Sequence, residues 1–234
     1  MEMPGYYTEK LAAERLQRVY EIAPPRTRQY LEAEIRHVQG RLRPADVVLE
    51  LGCGYGRVSV RLAEIAARVV GIDHASASIA LARRLAAGEP RCEFFVMDAA
   101  ALAFDDGAFD RVVCVQNGIS AFALEPERLV REALRVTRPG GSVLVSSYAA
   151  GFWPERLRWF EAQAVAGLLG AIDRERTRDG VIACLDGFRS GTFTPTDFRA
   201  LGARLGSEPE IAQVDGSSVF AAFVAPPSRA STRG

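Results

Sequence analysis

Three glycines, Gly52, Gly54 and Gly56, alternate with other residues directly after Glu50-Leu51. Glycine at every second position supplies positive backbone torsions and side-chain-free surface, so a ligand can approach the main chain closely. The turn runs at Arg57 into a segment of helical spacing. The unpaired N–H groups of a helix start favour an anionic group such as a carboxylate. Asp73 closes the next apolar run, where a carboxylate accepts hydrogen bonds from both hydroxyls of a ribose. Asp98 follows a third run, in Val96-Met97-Asp98-Ala99, and Gln116-Asn117 end a fourth. Polar groups at successive run ends form a candidate binding site for a small ligand that contains a nucleoside.

The elements that must position these residues are short and nearly continuous in their apolar character. They are Val47-Val48-Leu49-Glu50-Leu51, Val69-Val70-Gly71-Ile72, Cys92-Glu93-Phe94-Phe95-Val96-Met97, Arg111-Val112-Val113-Cys114-Val115 and Ser142-Val143-Leu144-Val145-Ser146. Such runs suit strands buried on both faces. Helical patterns lie between them, at Val58/Leu62/Ile65, Ala75/Ile79/Ala82/Ala86 and Leu129/Ala133/Val136. Alternation of this kind predicts an α/β fold with a doubly wound, mostly parallel sheet. In such a sheet ligands sit outside the carboxyl ends of the strands.

Around this core, residues 1–43 carry two amphipathic helices joined by Ala23-Pro24-Pro25 and are expected to form a lid that closes over the ligand. Residues 44–150 form the core. Residues 151–192 read as an insertion, a helix from Trp153 to Gly170 followed by a hairpin through 181–185 and 188–190. Residues 193–225 add a closing helix, capped by Thr194-Pro195-Thr196-Asp197, and two strands that complete a seven-stranded sheet. The segment 226–234 has nothing to bury and is expected to be disordered.

Of the 234 residues, 48% are hydrophobic and 25% charged, with 29 basic and 29 acidic side chains. No net field draws the chain toward nucleic acid or an anionic membrane, and no run approaches the roughly 20 apolar residues of a membrane span. The N-terminus lacks the order of a secretory signal, so a cytoplasmic protein is expected. Cys53, Cys92, Cys114 and Cys184 are scattered, with only His37 and His74 to join them, so no metal site or disulfide framework is suggested.

The sequences V-L-E-L-G-C-G-Y-G-R at 48–57, V-G-I-D at 70–73, V-M-D-A-A at 96–100, F-D-R-V-V-C-V-Q-N-G at 109–118 and R-P-G-G-S-V-L-V at 138–145 resemble the successive motifs of class I S-adenosylmethionine (SAM)-dependent methyltransferases. The resemblance runs from about residue 44 to 148 and implies a Rossmann-like fold with SAM as cofactor. It implies that Gly52, Gly54 and Gly56 flank the methionine part of SAM, that Cys53 and Arg57 belong to the same cofactor site, and that Glu50 braces the loop or the amino group. Asp73 would hold the ribose, His74 would lie along the adenine, Asp98 and Ala99 would meet the adenine edge, and Gln116 and Asn117 would sit beside the departing methyl.

A nicotinamide dinucleotide enzyme is the nearest competitor. Its G-x-G-x-x-G turn wants glycine where Arg57 stands, and Glu50 would repel a diphosphate. The acceptor is expected to be a small molecule: the N-P-P-aromatic sequence of base-modifying amino methyltransferases is replaced by Val115-Gln116-Asn117-Gly118, and no nucleic-acid partner is expected. Tyr7, Tyr20, Tyr30 and Tyr148 are candidates for the substrate wall. No catalytic base is identified, and methyl transfer by in-line displacement does not require one. An aminopropyltransferase on the same scaffold and a non-catalytic SAM-binding protein are the alternatives. Either a monomer or a homodimer is compatible with the chain.

Overall fold

The computed structural model describes residues 6–122 and 124–227. The expected disordered tail therefore lies, beyond Pro227, outside the described residues.

Three helices open the chain: α1 (Tyr6–Glu9), α2 (Glu14–Glu21) and α3 (Pro25–Gln39). The core then alternates β1 (Val47–Leu51), α4 (Arg57–Leu62), β2 (Arg68–Asp73), α5 (Ser76–Leu85), β3 (Cys92–Val96), β4 (Phe109–Cys114), α6 (Pro126–Val136) and β5 (Thr137–Tyr148). After it come α7 (Trp153–Val165), a two-stranded hairpin of β6 (Ile182–Ala183) and β7 (Arg189–Ser190), α8 (Pro195–Leu205), β8 (Glu210–Val214) and β9 (Ser218–Val224). The main sheet has seven strands in the order β3-β2-β1-β4-β5-β9-β8. Strands β1 to β5 are parallel where they pair, and β9 runs antiparallel to both β5 and β8. No helix among the described residues is long and apolar enough to cross a membrane.

The apolar runs are continuous because alternate residues feed two different cores. Leu49, Leu51, Val70, Ile72, Val112 and Val143 face a cluster completed by Leu129 and Val130 of α6 and Phe198 and Leu201 of α8. Val48, Val69, Val113 and Leu144 face the other side, against Ile35 and Val38 of α3 and Val58 and Leu62 of α4. A third cluster joins Leu11, Val19, Tyr30 and Leu31 of the N-terminal segment to Tyr148, Phe152, Trp159, Phe160 and Phe188. The opening helices and the segment after β5 thus share one small core. The Trp159 Nε1–H donates to the Val19 carbonyl at 3.0 Å and fastens α7 to α2.

Two sequence expectations need correction. The helix expected to reach Gly170 ends at Val165, because Gly167 adopts a left-handed torsion (φ +68°) that no helix continues through. Strand β5 begins at Thr137 rather than Ser142; at Gly141 the backbone passes so near Asp110 that a Cβ would lie 2.6 Å from its carbonyl oxygen. The expected cap of α8 is present as a reciprocal pair. Asp197 N–H donates to Thr194 Oγ1, and Thr194 N–H donates to Asp197 Oδ2.

Candidate functional site

At the carboxyl ends of the parallel strands lies a cavity of about 430 Å³, within the range of small-molecule sites. Sheet order arranges its wall. Asp98 follows β3, Asp73 ends β2, Glu50 lies in β1 with the glycine turn directly after it, Gln116 and Asn117 follow β4, and Tyr148 ends β5. Strands stand roughly 4.8 Å apart, so from Asp98 to Tyr148 the row crosses four strand spacings.

Gly52, Gly54 and Gly56 all take positive φ, at +71°, +53° and +83°. A Cβ on Gly52 would meet the Phe122 ring, and one on Gly54 would lie 2.8 Å from the Leu16 side chain of α2, so the turn passes directly beneath the first helices. Gly56 points the other way, where a Cβ would collide with Phe94 and Ala82 of the core. It shapes the loop without lining the cavity. Cys53 does line the cavity, and its buried thiol is pushed well above the ordinary range by burial, so it stays protonated.

The Asp73 carboxylate is fixed by the loops around it: Oδ2 accepts the Gly54 N–H at 2.9 Å and Oδ1 the Ala75 N–H at 2.8 Å. Burial raises its pKa, and these two amide bonds oppose the rise. Glu50 is buried and accepts the Ser59 hydroxyl. Burial holds its carboxyl at about 7, with the Ser59 bond and Arg57 pulling it down. His74 Nε2 lies 3.6 Å from Asp98 Oδ1, and both line the cavity. Ala99 does not; its side chain packs in the core beside Ile72 and Leu102.

Beyond β4 the backbone turns sharply. Gln116 and Asn117 adopt left-handed torsions (φ +56° and +62°), a conformation that side chains other than glycine enter at a cost. The Gln116 N–H is held by the Glu34 carboxylate at 2.6 Å and the Ser146 hydroxyl at 2.8 Å. Glu34 is itself wholly buried on α3, and burial raises its pKa to about 7. The Arg57 guanidinium donates to Gln116 Oε1 and lies over the Tyr20 ring, 4.3 Å from its centroid. Asn117 is committed to the protein. Its Oδ1 accepts from Ser147 and Ser120, and its Nδ2 donates to Ser190 Oγ and the Gly191 carbonyl, tying β4 to β7.

Of the tyrosines considered for the substrate wall, Tyr7, Tyr20 and Tyr148 line the cavity. Tyr30 does not: it is fully buried between Tyr148 and Phe152, with ring centroids 5.2 and 5.1 Å away. Behind Tyr148 stands Arg156, also fully buried, its guanidinium carbon 4.4 Å from the ring centroid. Glu34, Ser190 and Arg156 lie outside the motifs legible in the sequence. Glu34 and Arg156 nevertheless carry a signal, since each stands four residues from large apolar side chains on both sides: Tyr30 and Val38 for the first, Phe152 and Phe160 for the second.

Residues 48–141 match the family described as methyltransferase domain. Over 102 residues the chain is 36% identical to a demethylmenaquinone methyltransferase of Clavibacter sepedonicus, covering 44% of this chain and 41% of the relative. Over 136 residues it is 32% identical to a 2-methyl-6-phytyl-1,4-hydroquinone methyltransferase of Synechocystis, covering 53% and 42%. The chain thus spans less than half the length of the curated relatives it matches. A SAM-dependent methyltransferase of Methanosarcina mazei has the same fold, with a TM-score of 0.60 at 20% identity over 82% of this chain and 97% of that one. The glycine turn, Asp73 and Asp98 all lie within the segment that matches the methyltransferase domain, and the fold is that of a SAM-dependent methyltransferase.

Proposed function

We propose that this protein transfers the methyl group of SAM to a small-molecule nucleophile by in-line displacement. The observation that carries the reading is a single cavity in which Glu50, Asp73 and Asp98 converge with the glycine turn on one side and with Tyr7, Asn117 and Tyr148 on the other.

The residues present fit SAM. Glu50 offers a carboxylate for an ammonium group, and Asp73, pinned through both oxygens, presents its remaining lone pairs to a pair of hydroxyls. Arg57 Nε and Gln116 Nε2 are buried without a protein partner at the same wall, donors that a ligand carboxylate would satisfy. His74 and Asp98 form the far end, suited to a purine. When bound, SAM supplies an electrophilic methyl group on a sulfonium. The chain's own part is to align the acceptor and keep water out. Leu11, Leu16 and Tyr20 roof the cavity from the N-terminal segment, and Phe122 closes it from the loop after β4. The relatives named above are methyltransferases of quinone-type molecules. The aromatic lining of this cavity supports a ring-bearing acceptor here as well.

Calorimetric titration with SAM and its demethylated product, S-adenosylhomocysteine, with NAD as control, tests the assignment. Micromolar binding of the sulfur nucleosides, no binding of NAD, and a loss of about tenfold or more in Asp73→Ala (roughly 1.4 kcal/mol) are expected. Failure of both nucleosides to bind the intact protein would overturn it.

A further inference from the structure

Arg156 is a buried cation without a buried anion. It is 0% exposed, and no carboxylate among the described residues forms an ion pair with it. Its partners are neutral: Nη1 donates to the Gly180 carbonyl at 2.7 Å, and Nη2 to the Ser190 carbonyl, Ser190 Oγ and the Gly191 carbonyl at 2.9, 3.0 and 3.2 Å. Its Nε has no partner at all. The rings of Tyr148, Phe160 and Trp153 at 4.4, 5.5 and 5.8 Å soften the penalty without cancelling the charge. A buried charge is ordinarily paired, because removing it from water is expensive.

Tyr148 and Ser190 both touch this guanidinium, and both line the cavity. Ser190 Oγ accepts one N–H from Arg156 and another from Asn117 Nδ2. With its acceptor capacity taken, the hydroxyl has only its proton to offer, and no acceptor among the described residues takes it. The residue is 5% exposed. A hydroxyl polarised from behind by a cation, with a free O–H at a cavity wall, is a donor built for a negative oxygen.

From this geometry we infer that the methyl acceptor binds as an oxyanion, a carboxylate or phenolate on an aromatic ring, received by the Ser190 hydroxyl with Arg156 as its buried counter-charge. The inference rests on the methyl-transfer reading and names the substrate class of that site. It also accounts for the wall beyond β4. Asn117 has its amide engaged, and burial holds the Tyr7 and Tyr148 phenols well above their ordinary range, so none of these groups is a base. An acceptor that arrives already ionised needs none.

The test is binding, not turnover. With S-adenosylhomocysteine present, benzoate, cinnamate and indole-3-carboxylate are titrated against their neutral carboxamides. In the intact protein at least one acid binds about tenfold tighter than its amide. Ser190→Ala and Arg156→Gln lose that preference while still binding S-adenosylhomocysteine, and Arg156→Lys keeps part of it. Thermal unfolding of each variant reports whether it is folded, and Ser190→Ala removes one small hydroxyl should Arg156→Gln fail to fold. Amides binding as well as acids, no acid binding below millimolar concentration, or an acid preference surviving in Ser190→Ala and a folded Arg156→Gln would each overturn the inference. If S-adenosylhomocysteine itself does not bind the intact protein, the methyl-transfer reading fails first and separately.

Discussion

Replacing Glu50 with glutamine is expected to stabilise the free protein at alkaline pH while weakening its hold on SAM. The carboxyl is buried and held at about 7, raised from 4.5 chiefly by desolvation. A carboxyl whose folded pKa exceeds its unfolded value favours the folded state fully below about pH 4.5. That contribution is lost as pH rises to about 7, because the native state must then hold a buried charge. At 1.36 kcal/mol per pKa unit the loss is on the order of 3 kcal/mol. Glutamine accepts the same Ser59 hydroxyl and carries no charge, so it escapes this loss. Urea unfolding should find Glu50→Gln about as stable as the parent at pH 4 and up to about 3 kcal/mol more stable at pH 8.

Cofactor binding should show the opposite preference. If the ionised carboxylate receives the ammonium group, the intact protein must shed the Glu50 proton to bind, about half a proton per site at pH 7 when the pKa is near 7. Affinity for S-adenosylhomocysteine then falls about thirtyfold between pH 8 and 5.5. Calorimetry in two buffers of different ionisation enthalpy measures the released proton directly. Glu50→Gln should bind about tenfold or more weakly at pH 8, with a flat profile. Glu34, also held near 7 but outside the cavity wall, is the internal control. An unchanged pH profile in Glu50→Gln would assign the proton to Glu34 and refute the role given to Glu50.

Gly54→Ala and Gly56→Ala should part company although both impose a left-handed torsion on alanine, at roughly 1–2 kcal/mol. The new methyl at 56 meets the Phe94 ring at 2.8 Å and Ala82 at 3.3 Å, adding about 1–3 kcal/mol of overpacking; the one at 54 meets only the movable end of Leu16. Urea unfolding should therefore rank Gly56→Ala as the less stable, and titration should show the larger loss of S-adenosylhomocysteine binding relative to stability in Gly54→Ala. Trp159→Phe removes the bond to the Val19 carbonyl and should cost about 1–3 kcal/mol. Amide exchange over residues 14–21 should quicken, and unchanged exchange there would mean that α2 is held by packing alone. Thr194→Ala should lower stability by about 1 kcal/mol with no effect on binding, since the cap it breaks lies away from the cavity.

What could be read from the sequence divides along a physical line. The strands were legible because each run feeds a core on both faces, as Leu49 and Val48 do on opposite sides of β1. The strand-end groups Glu50, Asp73, Asp98 and Gln116 were legible because sheet order alone carries them to one edge. Gly56, Ala99 and Tyr30 miss the cavity because which way a side chain faces depends on tertiary packing, which spacing along the chain does not record. Glu34 and Arg156 were passed over for the same reason, although their helices hold a clue. A solvated charge belongs on the polar face of a helix, yet each of these stands on the apolar stripe, Tyr30-Glu34-Val38 on α3 and Phe152-Arg156-Phe160 entering α7. A charge there must either be neutralised or meet a partner from elsewhere in the fold. Glu34 meets the turned amide of Gln116, which its carboxylate fixes. Arg156 meets only neutral acceptors, and the charge left over faces the wall of the cavity.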